Sequence, residues 1–371
     1  MPVPRVLIPA VLLCASLAGA SNPVPLTSSA IGLGGVTDLR QIGMVNLPGA
    51  PGFGDVAFAN GMLLLTHPGA SAVDVFDPVR RREVAQITGL QAPRGIAVDE
   101  KAGRVYVADH GSNSIAIVAT EGWKVVDSIA VPGSPDALLL GGDRTLYWAD
   151  ADAGILSLLD LRTKQDIAQV ALGGRPRTLV LDPQRNVVFA TLQDVHQIVA
   201  VASASALNPA TEPGRTNASG STNGPAAEAP QLKIVNRFTL NASQPTGLIY
   251  DPQYNELYTA VRYAVLAISA DTGSEIASVA APAGVDSLWL DPDSRTLYAA
   301  SEGSLLVMQA KGSLTKTDEL VTAGVKGHNV AYDAEKNIVL VPGGSEGKSK
   351  LLILRPMSPN TQMNDTDARV R

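Results

Sequence analysis

Arg94, Asp136, Arg177, Asp286 and His328 fall at one position of a recurring unit, together with Gly54 and Thr246. Five of these seven positions are therefore ionisable. A guanidinium can grip a carboxylate or phosphate through two parallel hydrogen bonds, so this set suits a polar or anionic small molecule. The same residues also fit a plainer reading, in which Arg94, Asp136 and Arg177 form a charge ladder that neutralises itself in a wet channel. The four histidines sharpen the question. His67, His110 and His196 follow the second apolar run of their units, and His328 lies in the recurring position itself. His67, His110 and His328 come from consecutive units and are candidate ligands of a divalent transition metal, with Asp109 or Glu302 nearby. Loop histidines also serve simply as solvent-facing polar groups, and spacing alone does not separate the two uses.

Other acidic residues read as structure. Asp150-Ala151-Asp152-Ala153-Gly154 has the start of a calcium loop but lacks the downstream glutamate, which leaves a turn. Asp99, Asp182, Asp251, Asp291 and Asp333 recur after the first apolar run of a unit, and three of them precede proline. An aspartate there accepts hydrogen bonds from its own turn. No Gly-rich phosphate loop and no Gly-x-Ser-x-Gly elbow stands in a supporting context.

The unit that carries these residues is a repeat. Its clearest copy runs from Pro93 through Ile96-Ala97-Val98-Asp99, Val105-Tyr106-Val107-Ala108-Asp109, Ser114-Ile115-Ala116-Ile117-Val118 and Lys124-Val125-Val126. Further copies open at Phe53, Pro135, Pro176, Pro245, Val285 and Gly327, spaced by 40 to 42 residues with one interval of 69. Each holds four short runs rich in Val, Ile, Leu and Tyr, bounded by Gly, Pro, Asn and Asp. Four strands at this period describe the blade of a propeller, and seven copies close a ring. The expectation is an all-β, seven-bladed β-propeller over 39–356. The last copy ends after three runs, and Arg40–Leu47 reads as the missing outer strand that would close the ring and remove an exposed edge. The long interval is an insertion at 208–230, rich in Ala, Pro, Gly, Ser and Thr, expected as a flexible loop in the fourth blade.

Around this domain, residues 1–20 read as a signal peptide. Arg5 supplies the charge, Val6–Leu17 the apolar run and Ala18-Gly19-Ala20 the cleavage site. The run is too short for a membrane span, which needs about 20 apolar residues. Residues 21–38 read as a leader and 357–371 as a solvated tail. The only cysteine, Cys14, lies in the signal, so the mature chain has neither disulfide nor thiolate site. Asn217, Asn241 and Asn364 open glycosylation triplets that matter only on a eukaryotic secretory route. With 29 basic against 35 acidic residues, a formal charge of −6 and 4% aromatics, the composition does not favour nucleic acid.

Arg104-Val105-Tyr106-Val107-Ala108-Asp109-His110-Gly111-Ser112-Asn113-Ser114-Ile115-Ala116-Ile117-Val118 resembles the YVTN and NHL groups of propeller repeats, with a Tyr-Val-Ala-Asp run, a small polar turn and a second apolar strand. The second copy matches closely, and the others keep only the apolar skeleton. The resemblance implies an exported propeller, secreted or periplasmic, from families that span surface proteins, binding scaffolds and a few enzymes. The expected function is a monomeric binding scaffold presenting its polar channel mouth to a protein, a cell-envelope component or a small polar ligand. The alternative is a metal-assisted, lactonase-like hydrolase at that mouth. Lactonase-type propellers hold calcium with Glu, Asn and Asp, and here Asp136 and Asp286 have no matching glutamate.

Overall fold

The computed structural model describes residues 38–142, 144–203 and 230–357. The expected signal peptide, most of the expected leader, residues 204–229 with most of the expected insertion, and the expected tail from 358 lie outside the described residues. Five separate four-stranded antiparallel sheets follow in order, over 56–87, 93–130, 135–171, 176–239 and 248–280. In each, neighbours in sequence are neighbours in the sheet. The chain is a β-propeller of four-stranded blades.

The rest of the chain departs from the expected set of separate four-stranded blades. Strands Leu288–Asp291, Thr296–Ala310 and Leu314–Lys326 share one seven-stranded sheet with Ala331–Asp333, Ile338–Ser345, Lys348–Met357 and Asp38–Leu47. A single residue pair, Lys326 with Gly344, joins the two groups. The fusion has a local cause. Thr296–Ala310 continues as one strand where its counterparts break, and Leu314–Lys326 runs on far enough to reach the next group. Strand Asp38–Leu47 lies antiparallel on Lys348–Met357 from Asp38 opposite Met357 to Leu47 opposite Ser349, with one irregularity at Gln41–Gly43. The strand expected near Ile42 therefore covers what would be a bare edge.

Both faces of the middle strands are apolar because each sheet is sandwiched between two others. In Met62–His67, Leu63 and Leu65 point into the cluster shared with Val341 and Leu352, while Leu64 points into the cluster shared with Ile96 and Val107. Alternation of side chains along a strand thus feeds two interfaces at once. Similar clusters join the second and third sheets (Tyr106, Trp148), the third and fourth (Leu158, Val199), the fourth and fifth (Phe189, Leu266) and the fifth and sixth (Tyr258, Met308). The contacts run round in a closed circle, since Leu63 and Phe76 meet the strands next to the chain's end. Outer strands such as Lys124–Ala130 are mostly exposed and carry the polar residues.

Turns obey the expected chemistry. Asp99 accepts from Ala102 N at 2.9 Å, Asp182 from Gln184 N at 2.9 Å, Asp251 from Gln253 N at 3.0 Å, Asp291 from Asp293 N at 3.2 Å and Asp333 from Lys336 N at 3.1 Å. The turn into each second strand contains a left-handed residue: Asn60, Gly103, Arg144, Asn186, Asn255, Arg295 and Asn337. Asn and Gly take that conformation at little cost. Arg295 does so while buried, bonding Asp251 through its guanidinium and Ala310 O through Nε at 3.0 Å.

Candidate functional site at the centre of the ring

The first strand of each sheet faces the middle of the ring, and together they enclose a cavity of about 420 Å³. Its charged lining is Asp55, Arg94, Asp136, Arg177 and Asp286, and Gly54, Gly95, Gly247 and Asn329 also line it. Hydrogen bonds between neighbouring sheets hold this wall. Thr66 Oγ1 donates to Arg94 O at 2.5 Å, Thr191 Oγ1 to Thr246 O at 2.9 Å and Thr246 Oγ1 to Val285 O at 3.1 Å. Ser287 N donates to His328 O at 2.9 Å, and Asn329 Nδ2 donates to Gly54 O at 2.8 Å.

Arg94, Asp136, Arg177 and Asp286 converge on the cavity as their spacing suggested. The Arg94 guanidinium pairs with Asp136 Oδ1, whose second oxygen accepts from Ala151 N at 2.9 Å. Arg177 Nη2 stands 3.5 Å from Asp286 Oδ2, a looser pair at the rim. Of the expected Arg94–Asp136–Arg177 ladder only the Arg94–Asp136 pair is present, and Arg177 pairs instead with Asp286 across the ring. Register irregularities at Pro93–Ile96, Pro135–Ala137 and Pro176–Leu179 turn the side chains of the second, third and fourth sheets inward.

Two aligned positions differ. Thr246 is buried in hydrogen bonds to backbone carbonyls and does not line the cavity. His328 also leaves the lining, with Nδ1 on Gly284 O at 2.8 Å and Nε2 3.7 Å from Glu302 Oε1. Asn329 takes its place on the wall. A shift of one residue reverses the face a side chain occupies, which accounts for the exchange. The expected ligand-binding role of His328 therefore has no support in the central cavity.

The proposed metal ligands are not brought together. Among the described residues, no group of three or more His, Cys, Asp or Glu is placed to hold a metal ion. His67 is fully buried, its Nδ1 2.7 Å from Asp74 Oδ2 and its Nε2 2.8 Å from Ala50 O. His110 Nδ1 lies 3.4 Å from Asp136 Oδ1 without hydrogen-bond alignment. His196 accepts from Gln244 N at 3.2 Å on the surface.

Ser349, His67 and Asp74 stand in the order of a hydrolytic relay, with Ser349 Oγ 3.1 Å from His67 Nε2. The bonding shows another purpose. Ser349 Oγ donates to Gly49 O at 3.1 Å and His67 Nε2 donates to Ala50 O, so the hydroxyl is not poised as a nucleophile. All three side chains are fully buried, and no substrate reaches them. The cluster pins the link Gly49–Ala50 between Asp38–Leu47 and the first sheet. Phe53 stacks on the His67 ring at 4.2 Å. The lactonase-like alternative finds no site among the described residues.

Sequence reasoning missed Asp55. It lies one residue beyond the aligned Gly54 in the most degraded copy, so the repeat gave no signal for it. Oδ1 accepts from Val56 N at 2.8 Å and Oδ2 from Ile96 N at 3.4 Å. Burial pushes its carboxyl from an ordinary 3.8 up to about 6, with Asp286 adding to the rise and Arg177 and the backbone donors opposing it. A second missed pattern ends the second strands. Asp109, Asp150 and Asp194 accept from Gln91 N at 2.6 Å, Ser134 N at 2.9 Å and Arg175 N at 2.7 Å. Each latches the segment that leads into the cavity-lining strand of its own sheet, and the apparent calcium loop at Asp150 is one of these latches.

A ring of four-stranded sheets around a charged central cavity defines the protein as a β-propeller. The comparisons agree. The family model for the NHL repeat matches residues 90–118, the copy in which the Tyr-Val-Ala-Asp signature is clearest. The chain is also similar to a chain in a crystal structure of a mitotic checkpoint complex, at 13% identity and TM-score 0.67, over 95% of this chain and 98% of that one. No curated protein matches. The copy at residues 90–118 is thus similar to an NHL repeat. At that identity the structural likeness speaks for the fold alone.

Proposed function

We propose that the chain is an exported, seven-fold propeller scaffold that binds a protein partner through the mouth of its central cavity. Seven left-handed turns and the three-plus-four make-up of the last sheet support the seven-fold reading. The N-terminal run ending at Ala18-Gly19-Ala20 supports export, with a mature chain starting at Ser21 in the secreted or periplasmic space. The observation that carries the binding reading is the cavity, where Arg94, Asp136, Arg177 and Asp286 gather with Asp55 on a wall that also carries Thr178, Ser287 and Asn329. Convergent polar groups in one concave place are what a recognition site requires. Propellers present such a face while their outer strands remain polar and solvated.

The test is crosslinking from defined positions in the full-length protein. A photoreactive residue at Arg175, which precedes the cavity-lining strand Pro176–Asp182, is expected to capture a partner in the cell envelope. The same residue at Val126, 53% exposed on an outer strand, is the control. Arg177→Trp, whose bulk narrows the mouth, should lower capture from Arg175 by about tenfold, the effect of roughly 1–3 kcal/mol of steric strain. Capture from Val126 alone, or indifference to Arg177→Trp, would overturn the reading.

A further inference from the structure

The cavity holds three carboxylates, Asp55, Asp136 and Asp286, against two guanidiniums, Arg94 and Arg177. Both guanidiniums already face a carboxylate, Arg94 on Asp136 and Arg177 on Asp286. Asp55 is the charge left over. None of the ion pairs among the described residues includes it, and beyond the bond from its neighbour Val56 it has only the long contact from Ile96 N. It lies on the wall of a space of about 420 Å³, within the range of small-molecule sites, roughly 300–1,000 Å³.

We propose that the cavity is a cation subsite in which Asp55 pairs with a primary ammonium or guanidinium group. Such a group is the end of a lysine or arginine side chain on a protein partner, and equally of a free amine. The assignment rests on the channel mouth being the binding face, and it reverses the sign of ligand that the arginines alone suggest. An anion would have to displace Asp286 from Arg177 while sharing a confined space with Asp55, and like charges in such a space repel strongly. A cation meets the surplus carboxylate and leaves both existing pairs intact. Burial and the neighbouring Asp286 hold the Asp55 carboxyl up near 6, and a bound cation offsets both causes.

The experiment uses the mature full chain and three probes: n-butylammonium, N-acetyl-lysine amide and acetate. The charged groups facing Asp55 across the cavity are Arg94, Asp136, Arg177 and Asp286, so each titration is run on the parent, Asp55→Asn and Arg177→Gln. At about pH 8 the parent is expected to bind an amine and not acetate, with affinity falling about tenfold in Asp55→Asn and again as the pH drops below about 6. Arg177→Gln, which removes a competing cation, should bind the amine no more weakly than the parent. Tighter binding of the lysine amide assigns the group to a peptide side chain, and tighter binding of butylammonium to a free amine. A second measurement needs no variant: the carboxyl ¹³C titration of Asp55 in the parent should move to lower pH when amine is present. An unmoved midpoint, equal binding by Asp55→Asn, or acetate binding in place of amine would refute the assignment. If Arg175 crosslinking still depends on Arg177 while no amine binds, the scaffold stands and the cation subsite falls.

Discussion

Asp55 shows how a carboxylate can be costly to the fold and still be placed at its centre. Its carboxyl titrates at about 6 in the folded chain against 3.8 ordinarily, so between those values the folded state holds the extra proton. Stability linked to this group therefore rises as the pH falls from about 6 to about 4, and is lost again as the pH rises through 6. Asp55→Asn keeps an acceptor for Val56 N and removes the half-buried charge. It should raise stability at neutral pH by on the order of 1–2 kcal/mol, with the gain vanishing below about pH 4. Urea unfolding of both proteins across that range tests the sign, and a gain that persists in acid would contradict it. The residue scale is also where the sequence was least legible. Arg94, Asp136, Arg177 and Asp286 could be found because the repeat aligns them. Asp55 and Asn329 could not, because their copies are degraded or shifted by one residue and a one-residue shift turns a side chain to the other face.

Among the elements, Asp38–Leu47 has the most to hold. It is the part of the circle supplied from the far end of the chain, and its link to the first sheet is fixed by His67, Ser349 and Asp74 rather than by apolar packing alone. Removing the imidazole leaves Asp74 buried with only Gln86 as a side-chain donor, at 2.9 Å. His67→Ala should cost about 3–5 kcal/mol, the usual penalty for stranding one member of a buried pair. Ser349→Ala should cost only about 1 kcal/mol, since it removes a single hydroxyl bond. Equal losses in thermal unfolding would mean that the cluster does not work through the His67–Asp74 pair. The element itself was legible, since the last copy visibly lacked an outer strand and Arg40–Leu47 could supply one. The histidine's role was not, because a loop histidine that ligates a metal and one that ties a buried carboxylate to a backbone carbonyl look alike in sequence.

At the scale of the whole molecule, the ring depends on neighbouring first strands approaching until only glycine fits between them. A Cβ on Gly247 would stand 2.3 Å from Asp286 O, a backbone atom with nowhere to move. Gly247→Ala should destabilise by about 2 kcal/mol or more, as overpacking does, and should loosen the rim pair of Arg177 with Asp286. Gly142→Ala, with nothing within 4 Å of the new methyl, is the control and should stay within about 0.5 kcal/mol. Matching stabilities would show that the central wall is not close-packed.

The sequence by itself determined the four-stranded unit, its recurrence, the turn aspartates and the closing strand, because these follow from local patterns: runs of Val, Ile, Leu and Tyr, and residues that suit tight turns. It also named four of the five charged residues in the cavity. Only the tertiary structure decided that the last three-plus-four strands join in one sheet, that Arg177 pairs with Asp286 rather than Asp136, and that the histidines disperse to separate partners. It alone exposed Asp55 as the unpaired charge. Those outcomes depend on distances between residues far apart in the chain, and a repeat pattern fixes which position a residue holds without fixing which neighbour across the ring its charge will meet.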